Sequence, residues 1–418
     1  MPTEQLEKST AQPAPNPSQL DCDIAIVGGG VAGTTLACAL KNSGLSVILI
    51  DALSPTQAAA RQQVYAITLL SGRIWDGIGV WDEIFSKITP FRQISLTDSG
   101  EAEVRFQQAE LGLDRLGYVA EHTPLLTTLQ AFLQDAENVT CLSPVEVVGV
   151  EYQADGVTIS LERDGKPQTL RSRLVVAADG TKSRLREAAG IRTRGWKYWQ
   201  SCITVKVKPE RSHENIAYER FWPSGPFAIL PLTGDRCNIV WTAPHDEAKA
   251  LAELDDEAFL AELSRRYGSQ MGNLEVISPR FVFQVQLMQS DRYVLPRLAL
   301  LGDAAHCCHP VGGQGLNMGI RDAAMLAQVL QAAHQQGEDL GDLRVLKRYE
   351  RIRRWENWAI LGFTDFLDRT FSNHWLPLVA ARRLGLWTLR HIAPVKLVAL
   401  RLMTGLLGYT PQLARDKH

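Results

Sequence analysis

The stretch that decides the fold is Asp23–Asp51, DIAIVGGGVAGTTLACALKNSGLSVILID. A β-branched run (Ile24, Ile26, Val27) meets three glycines, an apolar helical stretch follows, Gly44 stops it, and a second strand ends at Asp51. That is a β-α-β unit. Gly28-x-Gly30-x-x-Gly33 sits after the strand and opens the helix. Gly28 makes the tight turn, Gly30 lets the backbone approach a pyrophosphate, and Gly33 lets helix and strand pack closely. The helix N-terminus offers free N–H groups and the positive end of its dipole to the phosphates. Asp51, eighteen residues past Gly33, can accept hydrogen bonds from an adenosine ribose. This motif alone does not separate NAD from FAD, and a NAD-dependent dehydrogenase remains a rival at this point.

Two more strands end in the same way. RLVVAADG (173–180) and LALLGDAAH (298–306) each run from a buried apolar segment into an Asp-containing turn. Three such endings point to one sheet whose carboxyl ends build one site. Between the last two the texture changes. SCITVKVK (201–208) alternates, FAILPL (227–232) and CNIVWT (237–242) are short strands joined by TGDR, and FVFQVQLM (281–288) is another strand. Alternation with short turns predicts an antiparallel sheet with one wet face, an inserted second domain. After Gly319 the chain reads as helical to its end.

Composition bounds the rest. A chain of 418 residues with 45% hydrophobic and 22% charged residues has ample core for two or three domains. A net charge of -2 gives no electrostatic ground for nucleic acid as a partner. Seven scattered cysteines without a C-x-x-C fit a reducing compartment better than a disulfide framework. The first twenty residues lack the apolar core of a signal peptide and read as a disordered lead.

The stretches AADGTKSRLR (177–186) and LLGDAAHCCHPVGGQGLNMGIRDA (300–323) complete a set of three motifs in fixed order. Together they resemble the signatures of the class A FAD-dependent aromatic hydroxylases, and within them the ubiquinone-biosynthesis hydroxylase family. ERFWPSGPFAILPL (219–232) is similar to that family's middle segment, and the resemblance covers Asp21 to about Gly408. It implies an α/β (α+β) fold: a glutathione-reductase-type Rossmann FAD domain, an inserted antiparallel-sheet substrate domain and a helical C-terminal region. The expected segments are a disordered lead at 1–20, FAD domain at 21–190, antiparallel substrate domain at 191–290, FAD domain again at 291–340 and helices at 341–418.

The residues make chemical sense of the resemblance. Asp303 suits the ribityl hydroxyls of a flavin, an N-cap being the plainer reading. Gly312, Gly313 and Gly315 let backbone lie against a flat ring, where a Cβ would collide. A helix beginning near Gly315 aims N–H groups at the flavin edge that becomes negative on reduction. The match adds Gly302, Pro310, Leu316 and Asn317 to the FAD set. It also brings Asp179 and Gly180 near the pyrophosphate and links Asp179 and Arg186 to a nicotinamide cofactor, while a plain turn Asp would look the same. Two positions depart from the family: Asp51 stands where Glu is commoner, and Tyr65 where an Arg is usual, so Arg61 is the expected substitute.

The implied function is an FAD-dependent monooxygenase. It uses NAD(P)H and dioxygen, through a flavin hydroperoxide, to hydroxylate the ring of a prenylated phenol or quinol on the way to ubiquinone or a related prenylquinone. Action on an isoprenoid, by epoxidation or reduction, and a non-enzymatic quinone-pathway subunit are the alternatives. No catalytic acid or base is assigned, since such chemistry needs orientation and a dry pocket above all. Phe221, Pro226, Phe227, Leu230 and Pro231 are the expected pocket walls, ordinary core being the alternative. His306-Cys307-Cys308-His309 is read as no metal site, because adjacent cysteines on a tight turn rarely both face one tetrahedral ion.

From Leu378 to Ala414 there is no Asp or Glu, but there are Arg382, Arg383, Arg390, Lys396 and Arg401 among Leu, Val and Ala, with Trp387 and, just before, Trp375. These read as basic interfacial helices on an anionic membrane, or as helices packed on the FAD domain. The implied place is the cytoplasm, peripheral on the inner membrane face, with a homo-oligomer or a quinone-pathway complex as the expected assembly.

Overall fold

The computed structural model describes residues 20–98, 103–373 and 375–415. Apart from Leu20, the expected disordered lead lies outside them.

The strand Cys22–Val27 sits at the middle of a sheet, between Lys166–Ala177 on one side and Val47–Ile50 on the other, both parallel to it. Leu298–Leu300 continues the parallel order beyond Lys166–Ala177, and Val139–Leu142 beyond Val47–Ile50. Helices cover the sheet, so Ile24–Val27, Val47–Ile50 and 174–177 are apolar runs rather than alternating ones. Ile24, Ala25 and Ile26 are fully buried. The carboxyl ends of three of these strands deliver Asp51, Asp179 and Asp303 to the edge where Gly28 follows the central strand, the three Asp-containing endings expected from the sequence.

The helices Val31–Ala39 and Gln314–Gln335 cross close over this edge. Small residues allow it: a Cβ on Gly319 would lie 3.3 Å from Ala32 Cβ and 3.4 Å from Gly302 Cα. The helix Leu343–Phe371 packs on Gln314–Gln335, followed by Leu376–His391 and Ala393–Met403, so the C-terminal part is helical as expected.

The second sheet has nine strands among the described residues. Its centre is Thr193–Pro209, Arg236–Pro244, Gly225–Leu232 and Ile216–Trp222, antiparallel in that order. Beyond Ile216–Trp222 come Gln93–Asp98, parallel to it, and Val104–Gln107. These last two strands come from inside the 21–190 segment, so that segment contributes to both sheets. In Val104–Gln107 the alternation is local and legible, Val104 and Phe106 buried and Arg105 and Gln107 exposed, but its neighbour Gln93–Asp98 joins the sheet through a strand more than a hundred residues away.

The C-terminal helices correct the reading of two of their basic residues. Arg382 is buried; its Nε donates to Asp98 at 2.9 Å and its Nη1 to the carbonyls of Phe371 and Asn373. Lys396 Nζ donates to Glu110 at 2.6 Å and lies over the Phe106 ring. Both therefore fasten the helices to the second sheet, while Arg383, Arg390 and Arg401 are exposed.

Candidate active site

A cavity of about 1430 Å³ lies between the parallel sheet, the second sheet and the C-terminal helices. Its volume exceeds the ~300–1,000 Å³ of a pocket for one drug-sized ligand, so it has room for a dinucleotide's flavin end together with a second molecule.

The three fingerprint glycines have three distinct surroundings. Gly28 has φ +113°, and a Cβ there would lie 2.2 Å from Ala178 O. On Gly33 a Cβ would lie 2.0 Å from Gly28 O, so this glycine is demanded by helix–strand contact. A Cβ on Gly30 meets nothing within 4 Å. That open space, at the uncapped N-terminus of Val31–Ala39, is the cradle that a pyrophosphate fits and a side chain would fill. Asp51 Oδ2 accepts from Gly29 N at 2.6 Å and Oδ1 from Leu53 N at 2.7 Å, which fixes the carboxylate beside the glycine turn.

The other end of the cofactor site is built around the turn at Gly302. Asp303 lines the cavity with part of its surface open to it. Protein surrounds the carboxyl on its other sides, and this burial raises its pKa, partly offset by His306. Gly312 and Gly313 adopt φ of +70° and +60°, and the helix Gln314–Gln335 starts at once with no side-chain cap. Its free N–H groups face the cavity that Pro310, Gly312, Gly313, Gly315 and Leu316 line. A flat ring and its developing negative charge fit such a wall.

Several expected residues stand differently. Asn317 is fully buried and its amide is used up within the protein: Oδ1 accepts from Thr68 N and Ser71 Oγ, and Nδ2 donates to Ala66 O and Gly313 O, each at 2.7 to 2.9 Å. Its side chain positions the Gly313 turn rather than facing the cavity. Arg186, expected near a nicotinamide, donates to Ala304 O and Thr181 O at 3.0 Å each and so clamps two loops together. Asp179 caps Leu185 N with one oxygen, and its other oxygen is buried without a partner among the described residues. Gly180 lines the cavity at φ +82°. Arg61 is exposed at the cavity wall. Tyr65 OH lies 2.8 Å from His122 Nδ1, His122 Nε2 donates to Ala58 O at 2.9 Å, and burial lowers the His122 pKa.

The expected pocket walls divide by strand alternation. Phe221, Pro226 and Leu230 line the cavity. Phe227 faces the other side, where it packs edge-on against Trp241 at 5.8 Å, and Pro231 shares that side rather than the cavity wall. Successive strand residues point to opposite faces, so a contiguous segment cannot line one cavity. Phe221 stacks on Phe371 at 4.0 Å, which joins the second sheet to the helices.

Two features were not anticipated. One is a buried polar cluster behind the Gly302 turn. Asp322 accepts from Gly302 N at 3.2 Å, His306 Nε2 at 2.6 Å, Arg353 Nε at 2.7 Å and Asn357 Nδ2 at 3.1 Å. Burial alone would raise the Asp322 pKa, but His306 and Arg353 outweigh it and hold it down at about 2. His309 turns instead toward Asp368 at 3.5 Å, so the two imidazoles of the 306–309 run face different acids. The other feature is Glu219, on the cavity wall of the second sheet. A ligand pattern carried by residues 31 and 35 positions downstream gave the first no local signature, and an isolated Glu in an apolar strand was the only signal for the second.

Comparison with known proteins agrees with this geometry. The family described as "FAD binding domain" matches residues 21–364. The uncharacterized protein slr1300 of Synechocystis sp. is 50% identical over 94% of this chain and 95% of its own length. Ubiquinone hydroxylase UbiL of Rhodospirillum rubrum is 42% identical over 94% of this chain and 92% of its own. Among solved structures, p-nitrophenol 4-monooxygenase PnpA from Pseudomonas putida DLL-E4 shares the fold, with a TM-score of 0.79 and 18% identity over 92% of this chain and 98% of that one.

Proposed function

We propose, from the premise that the chain belongs to the family of FAD-dependent ubiquinone-biosynthesis hydroxylases, that it hydroxylates the aromatic ring of a prenylated quinone precursor. It is an FAD-dependent monooxygenase that uses NAD(P)H and dioxygen. When bound, FAD takes electrons from NAD(P)H and passes them to dioxygen, so that one oxygen atom reaches the ring.

The observation that carries this reading is one cavity with two unlike walls, a backbone wall at Gly302–Leu316 and an apolar wall at Phe221, Pro226 and Leu230. Gly30, Asp51, Asp179 and Gly180 are assigned to the dinucleotide end, and Asp303 and the N–H groups after Gly313 to the flavin end. The apolar wall orients the ring and excludes water, which protects the oxygen-transfer step. The cavity continues past Phe371 to Leu386, Leu389 and Met403 on the last two helices, a course that suits a polyprenyl tail.

The outer face of those helices supports a membrane-surface reading. Trp387 on Leu376–His391, Trp375 just before it and Trp358 on Leu343–Phe371 are more than half exposed, and Arg390 and Arg401 on the last two helices are exposed too. Aromatic and basic side chains together suit the interface of an anionic membrane. No helix of the described residues is long and apolar enough to cross a membrane.

The test is turnover of a short-chain prenyl phenol by the purified yellow protein with NADPH and dioxygen. A product heavier by one ring oxygen is expected. Oxygen on the prenyl chain would establish the epoxidase alternative instead, and flavin that NADPH never reduces would point to a non-enzymatic subunit.

A further inference from the structure

We infer that Glu219 accepts the hydroxyl hydrogen of the phenolic substrate, holding the ring against the second sheet and taking its proton as the ring is oxygenated. The inference rests on the phenol reading above. It starts from strand register. Glu219 stands between Leu96 and Ala228, Ala228 stands opposite Val240, and Val240 opposite Thr204. All five line the cavity. On the same strand, Ala217 and Phe221 flank Glu219 on that face. One carboxylate is thus set in a wall that is otherwise apolar or hydroxyl-bearing.

No hydrogen bond or ion pair among the described residues engages the Glu219 carboxylate, unlike that of Glu356 in the same cavity. Asp303 belongs to the Gly302 turn, and Glu356 accepts from Tyr409 N at 2.5 Å and pairs with Arg353. The charged neighbours on surrounding elements are occupied elsewhere. Arg220 donates to Arg266 O, Lys206 to Glu121, and Arg382 to Asp98. Cys202 and Tyr218, the titratable groups beside it, are held neutral by burial. Glu219 is half-buried and its carboxylate opens to the cavity, so a ligand that displaces water there must supply a hydrogen bond in its place. A phenol O–H entering the cavity supplies it.

Burial with no compensating charge raises the Glu219 carboxyl to about 8. An acid–base group is most effective with a pKa near the working pH. The protons balance. The phenol O–H bond breaks and its proton passes to the carboxylate as the ring carbon gains one oxygen of dioxygen; the O–O bond breaks, and the other oxygen ends as water with the two electrons that NAD(P)H supplies. When aromaticity returns, the attacked ring carbon releases its hydrogen to solvent as a proton, and Glu219 returns its own to the phenol oxygen.

The experiment is binding, not turnover. The oxidised holoenzyme is titrated with para-butylphenol and with its methyl ether from about pH 6 to about pH 9, in parallel with Glu219→Gln. If the charged carboxylate receives the hydroxyl, phenol affinity rises roughly fifty-fold between pH 6 and pH 8 and then levels, the ratio of ionised fractions for a pKa of about 8. The ether, which has no proton to give, shows no such rise, and neither does the phenol in Glu219→Gln. A flat phenol curve in the parent protein overturns the inference even if the variant does not fold. So does a slope that survives the substitution. A protein that binds the ether and never the phenol overturns the phenol reading itself.

Discussion

The two walls of the cavity are made differently. The cofactor wall is backbone: glycines at Gly30, Gly312 and Gly313, uncapped helix N-termini, and carboxylates fixed by neighbouring N–H groups. It is braced from behind by the Asp322 cluster and by Asn317. The opposite wall is side chains, taken from alternate positions of several strands and from helices that touch them through pairs such as Phe221–Phe371. A backbone wall tolerates little change because its shape is the fold. A side-chain wall can be re-cut one residue at a time without changing the fold.

The sharpest way to break this contrast is to put side chains into the backbone wall. Gly33→Val places carbon against Gly28 O, where a Cβ has 2.0 Å, and the parallel-sheet domain should fail to fold even without cofactor. Gly30→Val meets open space, so the apo protein should melt as the parent does yet bind no flavin, because the new side chain occupies the pyrophosphate cradle. Circular dichroism and the flavin absorbance of the purified variants read both outcomes. A yellow Gly30→Val protein would refute the cradle.

A second prediction concerns the brace. Asp322→Leu takes one of its two carboxylates from buried Arg353, which keeps Glu356, and removes the acceptor for Gly302 N and His306. Removing one partner of a buried ion pair costs about 3–5 kcal/mol, and urea unfolding of the apo protein should lose stability of that order. The charge that keeps the Asp322 pKa at about 2 also sets a pH window. With its folded-state pKa below the unfolded value, Asp322 stabilises above about pH 4, and this contribution fades as pH falls toward 2. The variant and parent should therefore converge in stability at low pH.

The same contrast explains what could be read from the chain. Gly28, Gly30 and Gly33 lie within six residues, and the tight turn at Gly28 and the close helix contact at Gly33 follow from local geometry, so the shape of this wall was legible. Gln93–Asp98 pairs with a strand more than a hundred residues on, and nothing local announces that register. The expected walls were half legible, since the segment reaches the cavity at Phe221, Pro226 and Leu230 but alternation sends Phe227 and Pro231 to the other face. Arg186 and Asn317 illustrate a different limit. Their position in a motif is visible, but whether a side chain faces a ligand or braces the loop that does depends on partners such as Ala304 and Ala66.

The smallest expected effect is at the outer face of the helices, where basic residues of one motif play two roles. Arg382 is structural: Arg382→Gln deprives buried Asp98 of its guanidinium, and should lower the melting temperature without changing vesicle binding. Arg390 and Arg401 are exposed, and replacing both by Gln should leave the melting temperature alone. If that face meets an anionic bilayer, each charge near the surface contributes about 1 kcal/mol, so the double variant should bind such vesicles up to roughly thirty-fold more weakly. High salt should erase the difference, because the attraction is screened within a Debye length of about 10 Å at 0.1 M. Turnover should follow the same division. A long-tailed substrate must be drawn from the bilayer through the cavity beside Leu386 and Met403, so its rate should fall with vesicle affinity, while a short soluble phenol reaches the same flavin wall from water at an unchanged rate. Equal rates for parent and double variant on the long-tailed substrate, with vesicles present, would mean that these helices only roof the cavity.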